Sequence, residues 1–403
     1  MALKPTRLGT NGSGARKCTS WIDSFIAYTD NLESAEIYRR WAAIATIAAA
    51  LEQKVWLHTH SPLYPNLYTF LVGHPGVGKS SVIGFARAFL AEIPGFHIAP
   101  TSMTGAAMVK AMEGSKCTLV DMTRPAGEQQ VNYYSMTLIP DEWRTFINSF
   151  KENDAIPLLT TFYDVNSPYE KMRTTDNVHI VLKRPQLSII AGVTPSDLLD
   201  FIPHVAWNQG FTSRLILVFC REHGMVDDFN SPRRAMPEGM IHDINRIHAL
   251  DGPFTWSQEF ALAVDAWRKG GEQPRPTHPK LEHYCARRKA HIYKLAMISA
   301  IDRGNELRLE LEDFQRALLW LGEVEIYMPA IFGEGISTPD LGAMDEVVDW
   351  LRRQGKPVHH ARLLNQVIRA GTPLTSVHRV MELLYQTGRV VKNEKNYYLV
   401  AED

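Results

Sequence analysis

The chain has 403 residues, which is long enough for two or three domains with sizeable cores. Its formal net charge is -1, so the surface as a whole does not attract nucleic acid, and such a partner would have to bind local basic patches. The 4 cysteines lie far apart without a C-x-x-C pair, which supports neither a disulfide framework nor a structural zinc site and makes the reducing cytoplasm the expected location. The most apolar run, Trp41 to Leu51, is too short to span a bilayer, so no membrane partner is expected.

Residues 1–65 are predicted to form a basic tail and a helical collar. The tail, residues 1–17, contains Lys and Arg but no acid, which is typical of a disordered segment and less so of a DNA-binding arm. Two helical patterns follow from Trp21 to Gln53. The second, Glu33 to Leu51, is apolar on most sides and is expected to pack against the next domain.

The segment Leu67 to Ser80, LYTFLVGHPGVGKS, is an apolar strand that opens into the spacing of a P-loop. In a P-loop, backbone N–H groups surround phosphate oxygens, which requires glycine where a side chain would block the approach. Lys79 is expected to reach the β and γ phosphates of ATP and Ser80 to ligate Mg²⁺, while the helix that begins there directs its positive end at the anion. The predicted nucleotide-binding residues are Gly73, His74, Pro75, Gly76, Val77, Gly78, Lys79, Ser80 and Ser81.

A second acidic motif follows behind this loop. Met136 to Ile139 is an apolar strand that runs through Pro140 into Asp141 and Glu142, 62 residues after Lys79. This is the Walker B pattern, in which Asp141 supports Mg²⁺ and Glu142 polarises the attacking water. A proline is tolerated at the end of a strand.

Two later segments, Leu187 to Val193 and Arg214 to Cys220, are continuous apolar runs, as buried parallel strands are. Together with strands near residues 67, 96 and 136, they predict a five-stranded α/β sheet. Such a sheet presents Lys79, Asp141, Glu142 and Thr194 at the carboxyl edge of its strands, where ligands bind in open α/β folds.

This order of motifs resembles that of AAA+ ATPases over about Tyr38 to Glu325. The run FTSRL, residues 211–215, resembles the finger segment of minichromosome-maintenance helicases. The resemblance implies that Thr194 is a γ-phosphate sensor, that Arg214 is an arginine finger for the neighbouring subunit's ATP, and that the chain forms a ring, usually a homohexamer. From the residues alone, a salt-bridged surface arginine is the alternative for Arg214.

Four runs, YPNLYTFLVGHPGVGKS, LIPDEW, YDVNSPYEKMR and LSIIAGVTP, resemble a family of phage and plasmid ATPases found fused or adjacent to primases. This resemblance implies a role in DNA replication and a possible primase partner. The AAA+ resemblance implies a helical lid over residues 223–334 that supplies a sensor arginine. Arg287 is the candidate on the predicted helix Pro279 to Ala300, and Arg288 is its rival. The alternative is that both arginines are exposed to solvent and neither is a sensor.

The segment from Phe162 to Arg184 alternates like a β-hairpin with a polar tip. Ring helicases of the resembled class place a hairpin here into the central pore, where basic residues contact single-stranded DNA. A solvent-exposed hairpin on the outer face is the alternative. The predicted contacts are Lys171, Arg173, Lys183 and Arg184.

Residues 335–403 are predicted to form a winged helix, with three helices followed by two strands around a turn at residues 393–396. From Gln354 to Val400, seven Lys or Arg oppose two Glu, which favours binding of forked DNA, whereas a protein-docking winged helix is the alternative. The predicted contacts are Arg379, Lys392 and Lys395.

The sequence thus predicts an α/β protein with a AAA+ core over residues 66–222, between the collar and the lid, and a winged helix. The expected activity is that of an ATP- and Mg²⁺-dependent hexameric DNA helicase. A helicase loader or replication initiator and an ATP-gated DNA-binding regulator are the alternatives.

Overall fold

The computed structural model describes residues 15–120, 129–148, 155–173, 178–202, 210–220, 235–276, 278–334 and 338–369, with 377, 380, 381, 384, 390–392 and 397–400. The chain divides into two compact units, Met1–Ile331 and Phe332–Asp403. Its mixed α/β structure, with parallel strands in the sheets, confirms the predicted class. In the described part of the chain, no helix combines the length and apolarity that crossing a membrane requires.

The described helices, in chain order, are α1 (Trp21–Tyr28), α2 (Glu36–Leu51), α3 (Lys79–Ala91), α4 (Gly105–Gly114), α5 (Trp143–Ile147), α6 (Ala155–Tyr163), α7 (Pro195–Phe201), α8 (Glu238–His248), α9 (Gln258–Lys269), α10 (Glu282–Gly304), α11 (Leu311–Glu334), α12 (Thr338–Gln354) and α13 (His360–Arg369). Short 3-10 turns cover Thr212–Arg214 and Pro279–Leu281.

The described strands are β1 (Val55–His58), β2 (Pro62–Leu63), β3 (Tyr68–Val72), β4 (Lys116–Val120), β5 (Gln130–Leu138), β6 (Tyr169–Arg173), β7 (Val178–Leu182), β8 (Pro185–Val193), β9 (Leu215–Phe219), β10 (Gly252–Trp256), β11 (Arg308–Leu309), β12 (Val358–His359), β13 (Val390–Lys392) and β14 (Tyr397–Val400).

The central sheet of the first unit has the order β4-β5-β8-β3-β9. β5, β8, β3 and β9 run parallel, and every residue of β3, β8 and β9 is buried. The uninterrupted apolar composition of these strands follows from this burial, because helices cover both faces of a parallel sheet. After β3, the glycine loop of residues 73–78 leads into α3, which begins at Lys79 as the sequence predicts.

The predicted strand near residue 96 is wrong, because only one bridge forms there, between Ile98 and Thr137. Its short run is bracketed by Pro94 and Pro100, and a proline has no N–H to extend a ladder. The fifth strand of the sheet is instead β4, which pairs antiparallel with β5.

A second, smaller sheet was not predicted. Its order is β11-β10-β1-β2, in which β1 and β10 pair in parallel, as do β10 and β11. It joins strands from the predicted collar and the predicted lid, and Val55, Leu57 and Phe254 are buried in it. The segment 223–334 is therefore not helical alone.

The N-terminal segment before α1 is fixed to α8 and α10 by two buried carboxylates. Asp243 accepts hydrogen bonds from the backbone N–H of Lys17 at 3.0 Å and of Cys18 at 2.7 Å. Asp302 accepts from the hydroxyl of Ser20 at 2.9 Å. Residues 17–20 therefore belong to the folded unit, although Lys17 was predicted to lie in a disordered tail.

The Tyr38 side chain ties α2 to the ends of two strands of the central sheet. Its hydroxyl lies 2.6 Å from the carbonyl oxygen of Val72 and 2.8 Å from that of Cys220, and it accepts from the Cys220 N–H at 3.1 Å. The whole residue is buried. Loss of the hydroxyl would leave buried backbone groups with fewer partners, which is costly.

The second unit contains α12 and α13 and an antiparallel sheet of order β12-β14-β13. Its core includes Val347, Leu351, Leu363 and Val367. Of the predicted third helix, residues 372–387, only 377, 380, 381 and 384 are described; they are helical and buried in the same core. The predicted turn at 393–396 lies outside the described residues.

We expect Tyr38→Phe to lower the free energy of unfolding by about 1 to 3 kcal/mol, because it leaves the backbone groups of Val72 and Cys220 short of a buried partner. Urea unfolding followed by circular dichroism measures the change. Tyr327→Phe is the matched control, since Tyr327 is exposed. Equal stability of the two variants would contradict this role of the hydroxyl.

Candidate functional site

The loop between β3 and α3 depends on glycines for its backbone conformation and, at Gly78, for a close approach to another segment. Gly76 and Gly78 have φ of 87° and 73°, and Gly78 is the N-cap of α3 in the left-handed conformation. A Cβ at Gly78 would lie 2.2 Å from the carbonyl oxygen of Glu33. Only glycine therefore fits this position, for both conformational and steric reasons.

This loop and the carboxyl ends of the neighbouring strands enclose a pocket of about 480 Å³. The volume is in the range of small-ligand sites. The pocket brings together most residues that the sequence predicts for ATP and Mg²⁺: Pro75, Gly76, Gly78, Lys79, Ser80, Ser81, Asp141, Glu142 and Thr194. Gly73, His74 and Val77 belong to the same loop but do not line the pocket.

Lys79 is 8% exposed, and its Nζ donates to the carbonyl oxygens of Gly73 and His74, each at 2.6 Å. Burial lowers the pKa of Lys79 to about 8, although the nearby charge of Glu142 acts in the opposite direction. The ammonium group is thus poorly solvated, and an anion in the pocket would favour its charged form.

The position of Asp141 and Glu142 depends on a glycine in β8. The Gly192 N–H donates to the carbonyl oxygen of Pro140 at 3.3 Å, and a Cβ at Gly192 would lie 2.5 Å from the carbonyl oxygen of Asp141. The chain after β5 can therefore lie directly against β8. This contact holds both exposed carboxylates at the mouth of the pocket.

Thr194 is the N-cap of α7 and carries a hydrogen-bond network at the pocket wall. Its hydroxyl accepts from the Asp197 N–H at 3.1 Å and donates to Asp197 Oδ2 at 2.7 Å. Arg144 Nη1 lies 2.6 Å from Asp197 Oδ1. Arg144 and Asp197 both line the pocket.

Three charged residues of the pocket were not predicted: Glu33, Arg144 and Asp197. For Asp197 a signal existed, because an acid three residues after a threonine is a capping-box pattern. Arg144 follows the Asp-Glu pair closely but belongs to none of the predicted motifs. Glu33 had no signal, since only the fold brings it to the loop.

Arg214 and Arg287 do not line the pocket. Both pair with the carboxylate of Asp164: Arg214 through Nη2, and Arg287 through Nη1 at 3.1 Å. Arg214 is 4% exposed, and its guanidinium lies 5.7 Å from the ring centre of Tyr163. In the single chain, Arg214 is thus a buried, paired arginine rather than a free surface cation.

Arg288, the rival of Arg287, is held elsewhere. Its guanidinium bonds both carboxylate oxygens of Glu325, at 2.6 and 2.8 Å, and lies over the ring of Trp267. Arg288 is 1% exposed. This buried pair accounts for Arg288 as part of the packing between α10 and α11.

A hairpin is formed by β6 and β7, which pair antiparallel from Tyr169 opposite Leu182 to Arg173 opposite Val178. It is shorter than predicted, because Phe162 and Tyr163 belong to α6. Lys171 and Lys183 are exposed. Arg184 instead bonds the hydroxyl of Tyr64. The side chain of Arg173 and the turn at 174–177 lie outside the described residues.

Of the predicted DNA contacts in the second unit, Lys392 is exposed on β13, whereas Arg379 and Lys395 lie outside the described residues. Within the described ranges, no group of three or more His, Cys, Asp or Glu could hold a metal ion. A Mg²⁺ ion bound together with phosphates needs only one or two protein ligands, and Ser80 and Asp141 are oxygen donors in the same pocket.

No protein-family model matches the chain, and no curated protein is detectably similar to it.

If the pocket binds nucleotide, we expect the affinity to fall as pH rises above about 8, because charged Lys79 attracts phosphate and that lysine loses its proton near this pH in the free protein. Since the bound anion raises the pKa, the dissociation constant should increase by up to about tenfold per pH unit above the free pKa. Calorimetric titration with ADP over this pH range measures it. A constant dissociation constant, with the fold intact by circular dichroism, would contradict the prediction.

Proposed function

We propose that the chain is a ring-forming AAA+ ATPase that acts as a DNA helicase or translocase in phage or plasmid replication. One observation carries this proposal: a single pocket joins Lys79 and Ser80 of the glycine loop to Asp141, Glu142 and Thr194. These residues come from three segments of the chain, and each has the chemistry that hydrolysis of a nucleoside triphosphate requires.

The residues divide the work of hydrolysis by their chemistry. The N–H groups of the loop and the ammonium of Lys79 bind the phosphates. Ser80 and Asp141 would hold Mg²⁺, which neutralises phosphate charge when bound. Glu142 accepts a hydrogen bond from the attacking water and orients it, and Thr194 donates its hydroxyl to a phosphate oxygen.

The ring is proposed from Arg214, which lies outside the pocket. A residue that acts on the nucleotide of a neighbouring subunit has no place in its own pocket, and Arg214 meets this condition. Arg214 would exchange Asp164 for that phosphate on assembly. Asp164 would retain Arg287 as its partner, so the exchange does not leave a bare carboxylate.

DNA binding is proposed from the exposed Lys171 and Lys183 of the hairpin, with Lys392 in the second unit. Repetition of the hairpin around a ring would line a pore with cations that contact a single strand. We interpret the second unit as a winged helix that binds the DNA fork.

A loader, an initiator or an ATP-gated regulator would lack DNA-stimulated turnover with strand displacement on a forked substrate.

We expect Lys79→Ala to abolish nucleotide binding, because it removes the charge that holds the β and γ phosphates. Glu142→Gln should bind ATP but hydrolyse it at least about a hundredfold more slowly, since the attacking water loses its hydrogen-bond acceptor. Binding of a fluorescent ATP analogue and release of phosphate measure the two effects. Lys269→Ala is the control, because Lys269 is an exposed lysine of α9 paired only with Asp265 among the described residues. If Lys79→Ala binds ATP as tightly as the control does, the assignment of residues 73–81 as a phosphate-binding loop is overturned.

Arg214→Ala should bind ATP yet hydrolyse it on the order of a thousandfold more slowly, because phosphoryl transfer loses a finger. Mixing tests whether the residue acts between subunits. Assemblies of Arg214→Ala with Glu142→Gln contain interfaces that pair an intact Glu142 with an intact Arg214, so part of the ATPase activity should return.

Neither parent contains such an interface, so each parent alone sets the baseline. Differentially tagged subunits verify that the variants assemble together. If a verified mixed assembly shows no more activity than its parents, Arg214 does not act in trans.

A further inference from the structure

The charges around the pocket leave one cation without a role. The described lining contains four carboxylates, from Glu33, Asp141, Glu142 and Asp197, but only two cations, Lys79 and Arg144. Lys79 serves the β and γ phosphates in the proposed function. A triphosphate carries one more phosphate group than a diphosphate, and Arg144 is the remaining cation of the described lining.

Arg144 is well placed to bind a ligand. Its side chain is 64% exposed, and its described bond to Asp197 at 2.6 Å uses one of the five N–H donors of a guanidinium. The other donors are available to phosphate oxygens, which a planar guanidinium binds in bidentate fashion. Because the arginine end of this pair is exposed to solvent, the pair is expected to contribute little to stability.

Asp197 connects Arg144 to Thr194. One carboxylate oxygen accepts from Arg144 and the other from the Thr194 hydroxyl, at 2.7 Å. A hydroxyl has one proton, so Thr194 cannot donate to Asp197 and to a phosphate oxygen at once. If Thr194 donates its proton to a phosphate oxygen, Asp197 therefore loses the hydrogen bond from that hydroxyl.

We propose that Arg144 is a second phosphate-binding residue that recognises the γ-phosphate, and that Asp197 holds Arg144 and Thr194 when no γ-phosphate is bound. The pair thereby distinguishes nucleoside triphosphate from diphosphate within one subunit. This inference rests on the proposed function, since it requires that the pocket binds nucleotide.

The test compares affinities for ATPγS and ADP, each with Mg²⁺, in the wild type and in Arg144→Gln. Arg144→Gln should weaken ATPγS binding about tenfold and leave ADP binding nearly unchanged, because a charge-assisted bond to the γ-phosphate is lost. Arg144→Lys keeps the charge and should recover part of the difference. Arg308→Gln is the matched control, since Arg308 is also an exposed arginine with one carboxylate partner, Glu310, at 2.7 Å.

Asp197→Asn provides a second, opposite test. It removes the carboxylate that competes with the γ-phosphate for Arg144 and Thr194, so the preference for ATPγS over ADP should increase. Glu33→Gln removes a charge from the same pocket without a described contact to Thr194, so it measures the effect of charge alone, and the preference for ATPγS should increase more in Asp197→Asn than in Glu33→Gln.

The outcomes separate the two proposals. A wild type that binds neither nucleotide overturns the proposed function, and this inference with it. If the wild type binds both, but the ratio of the two affinities in Arg144→Gln equals that in Arg308→Gln, the inference alone is overturned. Equal losses of ATPγS and ADP binding overturn it as well.

Discussion

The register of three parallel strands is the constraint on which the site depends. Val72 of β3 lies opposite Val193 of β8 on one side and Phe219 of β9 on the other, so the three strands end at one level. The glycine loop and Thr194 therefore leave the sheet at the same edge. The bond from Gly192 to Pro140 brings the chain after β5 to that edge too. Backbone hydrogen bonds alone thus determine where the segments that line the pocket lie.

The residues that the sequence placed at this edge were recognisable because their signals are local. An apolar strand, a glycine loop and an Asp-Glu pair can each be read within a few residues. Arg144 and Asp197 form a pair between α5 and α7, and no local pattern reports a contact across more than fifty residues. The burial of Arg214 could not be predicted for the same reason, because its partner Asp164 lies on a distant segment of the chain.

The strand predicted near residue 96 illustrates a different limit. Its apolar residues fit a buried strand, and His97 and Ala99 do bond Thr137 on either side of a single bridge. The flanking prolines end this ladder, and the antiparallel β4 pairs with the remainder of β5. A hydrophobic pattern can predict that a segment lies beside the sheet. How many of its residues pair with β5 also depends on whether another strand, here β4, pairs with the same edge.

The smaller sheet bears on how movement would pass through the first unit. Gly252 N–H bonds the carbonyl oxygen of Lys54, and Thr255 N–H bonds that of Leu307, each at 2.9 Å, so backbone ladders join the segment after α2 to those after α8 and α10. Backbone ladders resist sliding because several bonds must break together. A displacement of α10 would therefore be transmitted to α2, and the Tyr38 hydroxyl of α2 bonds the end of the strand that precedes the glycine loop.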